Sequence, residues 1–435
     1  MASIIQRYWS SLLWLPLISV AAGGDDTCAL RHSPASSIVP SLYAPNSAIC
    51  TVPTVGSNRS VTDVPISEQS RWIQDTQCHG FEGVQFCAYT QSSLNEGESV
   101  SLITTPERFA KLASESAFRE RVDDSSSQVL SESSLPYRDV AIPGKGIGLI
   151  ATRPIRAGQR IMAHRPAVMV DGRAYPGMSK ENLADLLARA VEPLPPVHRD
   201  RFLNLSTHDG ANGYTDLVHK IFTTNTFRTS VNDGESDFYS TFTEVSRLNH
   251  DCQPNCGYYF DHTTLSLKVI AATDISPGEE LSVSYIDVLQ PRSKRQGYLH
   301  THWGFHCSCK RCTADAHLAA ESDSRIAQIH RLRAELDDYS DSSTATPAKA
   351  ELLVLLFELE GAAGRMHEAL YRAAIEWSGV GDAARAVKYA RLCLDRGLRF
   401  RGQGRPFEES MRRLLEDPEV HWSWRSRLHA GREEG

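Results

Sequence analysis

The heptapeptide Asn249-His250-Asp251-Cys252-Gln253-Pro254-Asn255 is the most informative segment of the chain when it is combined with two segments that follow it. These are Gly278-Glu279-Glu280-Leu281-Ser282-Val283-Ser284-Tyr285 and the cluster Cys307-Ser308-Cys309-Lys310-Arg311-Cys312. Cysteines separated by one or two residues do not readily pair with one another, because a disulfide needs Cα atoms about 5.5 Å apart with suitable side-chain directions. They can instead converge on one metal, and Cys252 is the natural fourth ligand of a tetrahedral, all-cysteine zinc site. Cys256 is the alternative fourth ligand.

Four motifs, in chain order, resemble those of SET-domain proteins, which transfer methyl groups from S-adenosylmethionine to protein lysines. Gly144–Ala151, with the turn Ile155–Gly158 after it, resembles the opening strand and glycine turn of that family. Arg247–Asn255 resembles its asparagine-histidine segment, Gly278–Tyr285 its tyrosine strand and Phe305–Cys312 its post-SET zinc element. Within the family, the cysteine spacing and the helical tail look most like the SMYD and fungal SET proteins.

The resemblance implies an α+β fold, with a SET-domain β-fold, a knot-like core and a post-SET zinc element over residues 137–315. Residues 1–22 are a candidate signal peptide, and residues 23–136 a cysteine-containing N-terminal extension and linker. Residues 316–435 are predicted to be helical, either TPR-like as in SMYD proteins or a plain bundle, since no period of about 34 residues is evident. The predicted helical runs are 316–338, 346–362, 366–378, 382–397 and 407–416.

Two features depart from the SMYD pattern. No cysteine lies between Cys87 and Cys252, so a MYND-type zinc finger and its partner-binding role do not transfer to this chain. The insertion at residues 172–222 instead contains the helical pattern Lys180–Val191, and we expect it to wall the substrate groove. In addition, His164 stands where relatives often place an acidic residue before the proline.

The resemblance also implies roles for individual residues. Tyr285 would be the catalytic tyrosine, with its hydroxyl at the point of methyl transfer. Phe305 would stack on adenine, and Tyr258 and Tyr259 would either line the lysine channel or serve only as strand residues. The cofactor-binding residues would be Lys145, Gly146, Ile147, Gly148, Asn225, Asn249, His250, Tyr285 and Phe305. The zinc ligands would be Cys252, Cys307, Cys309 and Cys312.

The implied reaction needs a neutral lysine amine. With a reference pKa near 10.4, keeping lysine neutral at pH 7 costs roughly 4 to 5 kcal/mol at about 1.4 kcal/mol per pKa unit. A narrow, desolvated channel beside a positive sulfonium lowers that pKa by burial and by like charge. Glu279 and Glu280 look like a catalytic pair, but we expect one to bond backbone near the core and the other to face solvent.

Composition restricts the partners. The net charge of −7 argues against nucleic-acid binding, which usually requires clustered excess Lys and Arg. The expected partner is a lysine-containing protein, a histone tail or another substrate, and the chain is expected to be a monomer without a transmembrane segment.

The N-terminus raises a question of compartment. Arg7 precedes the apolar run Leu12–Ala22, which has the layout of a secretory signal peptide and is too short to span a bilayer. In an oxidising compartment, Cys28, Cys50, Cys78 and Cys87 could form two disulfides with three possible connectivities. An argument against secretion is that S-adenosylmethionine, zinc and histone tails are available in the nucleus and cytoplasm but poorly available in the secretory pathway. The sequence therefore leaves the localisation open.

The sequence favours an S-adenosylmethionine-dependent protein-lysine N-methyltransferase that contains zinc. The alternative is a non-catalytic, possibly secreted SET-fold module that binds a protein partner. The presence of Tyr285, Asn249 and His250 favours the enzyme.

Overall fold

The computed structural model describes residues 72–94, 98–115, 118, 135–207, 209–231 and 236–428. The candidate signal peptide, Cys28 and Cys50 lie outside these residues. Strands and helices are mixed up to residue 283 and helices follow, which confirms the predicted α+β class and helical C-terminal region. Within the described ranges, no helix has the length and apolar character needed to cross a membrane.

The elements are as follows. The strands are β1 Trp72–Gln74, β2 His79–Phe81, β3 Val84–Leu94, β4 Glu98–Thr104, β5 Tyr137–Ile142, β6 Gly146–Ala151, β7 Arg160–His164, β8 Val168–Asp171, β9 Thr226–Thr229, β10 Phe238–Thr241, β11 Asn249–His250, β12 Cys256–Asp261, β13 Ser266–Ala271 and β14 Glu280–Val283. The helices are α1 Pro106–Ala113, α2 Lys180–Val191, α3 Pro196–Leu203, α4 Gly213–Thr224, α5 Arg292–Trp303, α6 Lys310–Thr313, α7 Ala316–Leu336, α8 Pro347–Leu359, α9 Met366–Gly379, α10 Ala383–Arg401 and α11 Pro406–Glu416.

The largest sheet joins the N-terminal strands to strands from the middle of the chain. Its order is β1-β3-β4-β8-β10-β9, with β2 paired to β3. β4 pairs parallel with β8, placing Leu102 opposite Met169 and Ile103 opposite Val170. The segment before residue 137 therefore supplies part of a sheet shared with the following region, and the predicted domain limits stay a prediction.

A disulfide between Cys78 and Cys87 fastens the N-terminal strands. It joins the residue directly before β2 to β3, and the two strands also pair through His79 and Phe86. This disulfide belongs to one of the three connectivities that the sequence left open for the four N-terminal cysteines.

The insertion forms three helices that cover one face of the large sheet. α2 has the predicted bounds, and the Ser179 side chain caps it by accepting from the Asn182 N–H. Leu186 and Leu187 of α2 are fully buried in one core with Val168 and Val170 of β8. The insertion is therefore an integral layer of the fold, and its role at a substrate groove stays a prediction.

Two smaller sheets bring the motif segments together. One has the order β11-β14-β6-β5, and the other the order β12-β13-β7. β11 pairs parallel with β14, placing Asn249 opposite Ser282 and His250 opposite Val283. β14 in turn pairs with β6, the glycine strand. The asparagine-histidine, tyrosine and glycine motifs thus lie on three neighbouring strands.

The C-terminal helices closely follow the predicted runs, and their shared core includes Leu353, Phe357, Ala373 and Ala390. Cys393 lies fully buried among them. The end of α10 reaches the sheet formed by β12 and β13, where Phe400 packs with Tyr259 and Ile270. The knot and the TPR-like arrangement stay predictions.

Candidate active site and metal centre

The four predicted zinc ligands converge. The sulfurs of Cys252, Cys307, Cys309 and Cys312 all lie within 4.8 Å of one another and are buried. Cys256 is not part of this group, since its Sγ donates to Asn255 Oδ1 at 3.4 Å. The structure therefore selects Cys252 over Cys256 as the fourth member of the cluster.

The donor set fits zinc. Zn–S bonds of about 2.3 Å place the sulfurs of a tetrahedral site about 3.8 Å apart, and Cys252 and Cys312 are 3.5 Å apart. When no metal is bound, the hydrogen bond with Cys307 raises the pKa of Cys252, whereas the hydrogen bond with Cys252 lowers the pKa of Cys309. The sulfurs therefore share protons in the metal-free chain, and a divalent cation would replace those protons.

Side chains outside the cluster fix its backbone. The Gln296 amide donates to the Cys307 carbonyl at 2.8 Å and accepts from the Cys307 N–H at 2.9 Å. Arg311 donates to the Cys252 carbonyl at 3.0 Å and to the buried carboxylate of Glu360. Glu360 also accepts from Arg325 at 2.6 Å. The cysteine segment is thus tied to α5 and to the helical region.

Tyr285 lies two residues after β14 and is held by two hydrogen bonds. Its hydroxyl donates to the Leu248 carbonyl at 2.8 Å, and its backbone N–H donates to His250 Nδ1 at 3.1 Å. Burial raises its pKa above the ordinary value, and the charge of Glu280 raises it further. The hydroxyl is therefore a neutral, oriented group beside the Asn249-His250 segment.

His250 connects Tyr285 to the cysteine cluster. Burial lowers its pKa to about 4, so the imidazole is neutral at pH 7. Because Nδ1 accepts from Tyr285, the proton is on Nε2, which lies 3.3 Å from Cys252 Sγ and donates to it. A continuous path of hydrogen bonds thus runs from the candidate metal centre to the backbone of Tyr285.

Two glycines of the opening strand are required for different reasons. Gly146 has a φ of 77°, which favours glycine, and a Cβ there would meet only Ser206 Oγ, at 3.9 Å. At Gly148 a Cβ would lie 2.6 Å from Asn249 Nδ2 and 2.4 Å from the Ile142 side chain. Gly148 therefore allows Asn249 to lie directly against the glycine strand.

Gly148→Ala is expected to lower the free energy of unfolding by about 1 to 3 kcal/mol, because the new methyl group overlaps Asn249 and Ile142. Denaturant unfolding measures this change. Gly210→Ala is the matched control, since a Cβ at Gly210 has no atom within 4 Å. Equal stability of the two variants would contradict the close packing of Asn249 on β6.

The sequence did not identify the role of Glu280. Its carboxylate pairs with Lys145 Nζ at 2.6 Å and accepts from Asn249 Nδ2 at 3.0 Å. Glu279 is exposed and accepts from the Ser276 N–H at 2.9 Å. Glu279 thus bonds backbone, as expected for one of the pair, although it does so at the surface. Glu280 does not face solvent as expected for the other, but links two of the predicted cofactor residues, Lys145 and Asn249.

The remaining predicted residues are distributed around this centre. The Asn225 amide donates to the carbonyls of Ser206 and Ile221, both at 2.8 Å, so only its Oδ1 remains to contact a ligand. Ile147 is 39 % exposed, on the open side of β6. The Phe305 ring lies 6.2 Å from the His250 ring. Asn225 therefore serves first to join α4 to the segment after α3.

The two tyrosines of β12 point to opposite faces, as strand geometry requires. Tyr258 packs in the core with Tyr285 and lies edge-on to Phe227 at 5.3 Å. Tyr259 packs against Phe400 and lies so close to Gly402 that a Cβ there would be 2.7 Å away. Of the two, Tyr258 is on the side of Tyr285.

His164, which stands where relatives often place an acidic residue, has an acidic neighbour in space. Its Nδ1 lies 3.7 Å from Glu244 Oε2, and Glu244 also pairs with Arg201 at 2.9 Å. The carboxylate is thus supplied by another segment of the chain.

Comparison with known sequences agrees with this geometry. Residues 146–286 match the sequence profile of the SET domain. The chain therefore contains a SET domain over these residues.

Its relatives include SET5 and SMYD-type histone-lysine methyltransferases. Histone-lysine N-methyltransferase set5 of Schizosaccharomyces pombe is 29% identical over 212 residues, which are 48% of this chain and 58% of that protein. Histone-lysine N-methyltransferase Smyd1 of Mus musculus is 36% identical over 102 residues, 20% of this chain and 21% of the relative. Human histone-lysine N-methyltransferase SMYD3 is 33% identical over 103 residues, 21% of this chain and 24% of the relative. The matches thus span at most just over half of these relatives.

Proposed function

We propose that this chain is an S-adenosylmethionine-dependent protein-lysine N-methyltransferase with a structural zinc ion. The observation that carries the proposal is the placement of Tyr285, whose hydroxyl is held at the Leu248 carbonyl directly before Asn249 and His250. The likeness to proteins named as histone-lysine methyltransferases supports a lysine side chain as the acceptor.

The cofactor would lie against the glycine strand. Gly146 leaves open space beside Ser206, while Lys145 and Asn249 present an ammonium and an amide at the same strand. These groups suit the charged amino-acid end of S-adenosylmethionine. When bound, that cofactor supplies an electrophilic methyl group on a sulfonium.

The chain would prepare the acceptor by orientation and by burial. The Tyr285 hydroxyl donates its proton in a hydrogen bond to the Leu248 carbonyl, so its oxygen lone pairs remain free to accept a hydrogen bond from an incoming amine. The rings of Tyr285 and Trp303 lie 5.6 Å apart, and burial of a lysine beside them would disfavour its charged form. A lysine placed there would lose its proton more readily, and alignment would contribute several kcal/mol.

The zinc ion would be structural. The four cysteines would supply all four ligands of a tetrahedral ion and would leave no position for water or substrate. Their contribution would be to order the segment around Phe305 and, through His250, the backbone of Tyr285.

Glu280→Gln is expected to weaken S-adenosylmethionine binding by about five- to tenfold, because the charge that orients Lys145 is lost. Titration calorimetry measures the dissociation constant. Glu279→Gln is the matched control, one residue away and exposed, and should bind as wild type does. Equal weakening by both variants would argue against a specific link between Glu280 and the cofactor residues.

The proposed function is tested by two measurements on one set of samples. Calorimetry determines cofactor binding to wild type and to Asn249→Ala, and radiolabelled methyl transfer is then measured with histones and with a mixed protein extract. Binding that Asn249→Ala weakens, together with labelled protein, would support the enzyme. Zinc-loaded, folded protein that binds no S-adenosylmethionine would refute it and favour the non-catalytic binding module.

A further inference from the structure

Arg295 on α5 is a deeply buried cation. It is 1 % exposed, its Nη1 donates to the Gln290 carbonyl, and its Nε has no hydrogen-bond partner and no access to solvent. In the part of the chain that the structure describes, no carboxylate pairs with it. The equally buried Arg108, in contrast, pairs with Asp171 at 2.9 Å. An isolated buried charge is strongly unfavourable, so a compensating anion is required.

The surroundings of Arg295 identify that anion. Gln296, the next residue, bonds both backbone groups of Cys307. Leu299, one helical turn later, is fully buried in the same cluster as the four cysteines. Arg295 and Leu299 are four residues apart, so their side chains lie on the same face of α5. The Arg295 side chain is therefore on the side of the helix that packs against the four cysteines.

Other charged groups near the cluster already have partners or add negative charge. Arg311 pairs with Glu360, and Lys145 with Glu280. His250 accepts from the Tyr285 N–H through Nδ1 and donates to Cys252 through Nε2, so it carries one ring proton and no charge. The Asp251 carboxyl lies beside Cys309 and can only make the surroundings more negative. Among these charged groups, Arg295 is thus the cation that has no carboxylate partner.

Four thiolates and one Zn²⁺ carry a net charge of about −2 in a buried position, which requires nearby positive charge. We propose that Arg295 is the counter-charge of the four-cysteine centre and that retention of the metal depends on its guanidinium. The inference rests on zinc binding by the four cysteines, which is part of the proposed function. It assigns to α5 a direct role in holding the metal.

The test compares the full-length wild type with Arg295→Met, which removes the charge at similar size, and Arg295→Lys, which keeps it. Arg108→Met is the control, because Arg108 is as buried but is balanced by Asp171. Zinc content is measured in folded protein, and zinc release is followed with a chromophoric chelator. We expect release at least about tenfold faster for Arg295→Met, a smaller increase for Arg295→Lys and an unchanged rate for Arg108→Met.

Thermal unfolding of zinc-loaded and zinc-free protein gives a second readout. Zinc-free sulfurs that share protons carry less negative charge than four thiolates. The melting temperature of Arg295→Met should therefore fall further below that of wild type in the zinc-loaded protein than in the zinc-free protein. A merely structural arginine would lower both melting temperatures by similar amounts. An unchanged release rate in a fully loaded Arg295→Met would overturn the proposal. Absence of zinc from folded wild type would overturn the four-cysteine centre itself, whereas loss of methyl transfer with the expected zinc behaviour would affect only the proposed activity.

Discussion

Tyr285→Phe is expected to reduce methyl transfer by about 100- to 1,000-fold, the range typical of removing one preorganised hydrogen-bonding group from an active site. The variant loses the hydroxyl that donates to Leu248 and keeps the backbone N–H that donates to His250. The fold and cofactor affinity should therefore change little, while kcat falls. Radiolabelled transfer and calorimetry on the same samples separate these quantities.

Tyr389→Phe is the control for this experiment. Its hydroxyl also donates a single hydrogen bond, at 2.9 Å to Glu351 in the helical region. It should retain wild-type transfer. If Tyr285→Phe were as active as this control, Tyr285 would have no catalytic role and the proposed mechanism would be wrong.

Cys252→Ser is expected to reduce bound zinc from one ion per chain to nearly none and to lower stability by several kcal/mol. The substitution removes one of four ligands, and zinc binding in small zinc domains contributes on the order of 10 kcal/mol to folding. It also removes the sulfur that accepts from His250, so methyl transfer should fall as well. Metal analysis and thermal unfolding measure the effects.

Cys256→Ser provides a closely matched comparison. Both cysteines are buried and only four residues apart, but the Cys256 sulfur donates to Asn255, a contact that a serine hydroxyl can keep. This variant should retain a full complement of zinc. Loss of zinc from Cys256→Ser, with retention in Cys252→Ser, would reverse the assignment of the fourth ligand.

The convergence of the cysteines was predictable, because three of them are fixed by close spacing and can share one metal only if a distant fourth joins them. The C-terminal helix bounds were also predictable, since capping residues mark them: Thr346 caps α8 and Asp382 caps α10. In both cases the deciding information is local to a short segment of chain.

The role of Glu280 and the position of Arg295 could not be predicted in this way. Glu280 contacts Lys145, 135 residues away, and Asn249, 31 residues away, and strand alternation fixes only the side on which a residue lies. Arg295 is in a helix that is polar around most of its surface, which is typical of an exposed helix. The sequence likewise contains no signal for the parallel pairing of β4 with β8.

The contact between Arg311 and Glu360 limits how the chain can be divided. Arg311 lies between two cysteines of the candidate metal centre, whereas Glu360 follows α8 and is 2 % exposed. A fragment ending at residue 315 would leave Arg311 without its carboxylate and would uncover Val288 and Leu289, which are buried in the core of the C-terminal helices. The region up to residue 315 and the helices that follow it are therefore expected to unfold as one unit, and truncation is expected to reduce solubility.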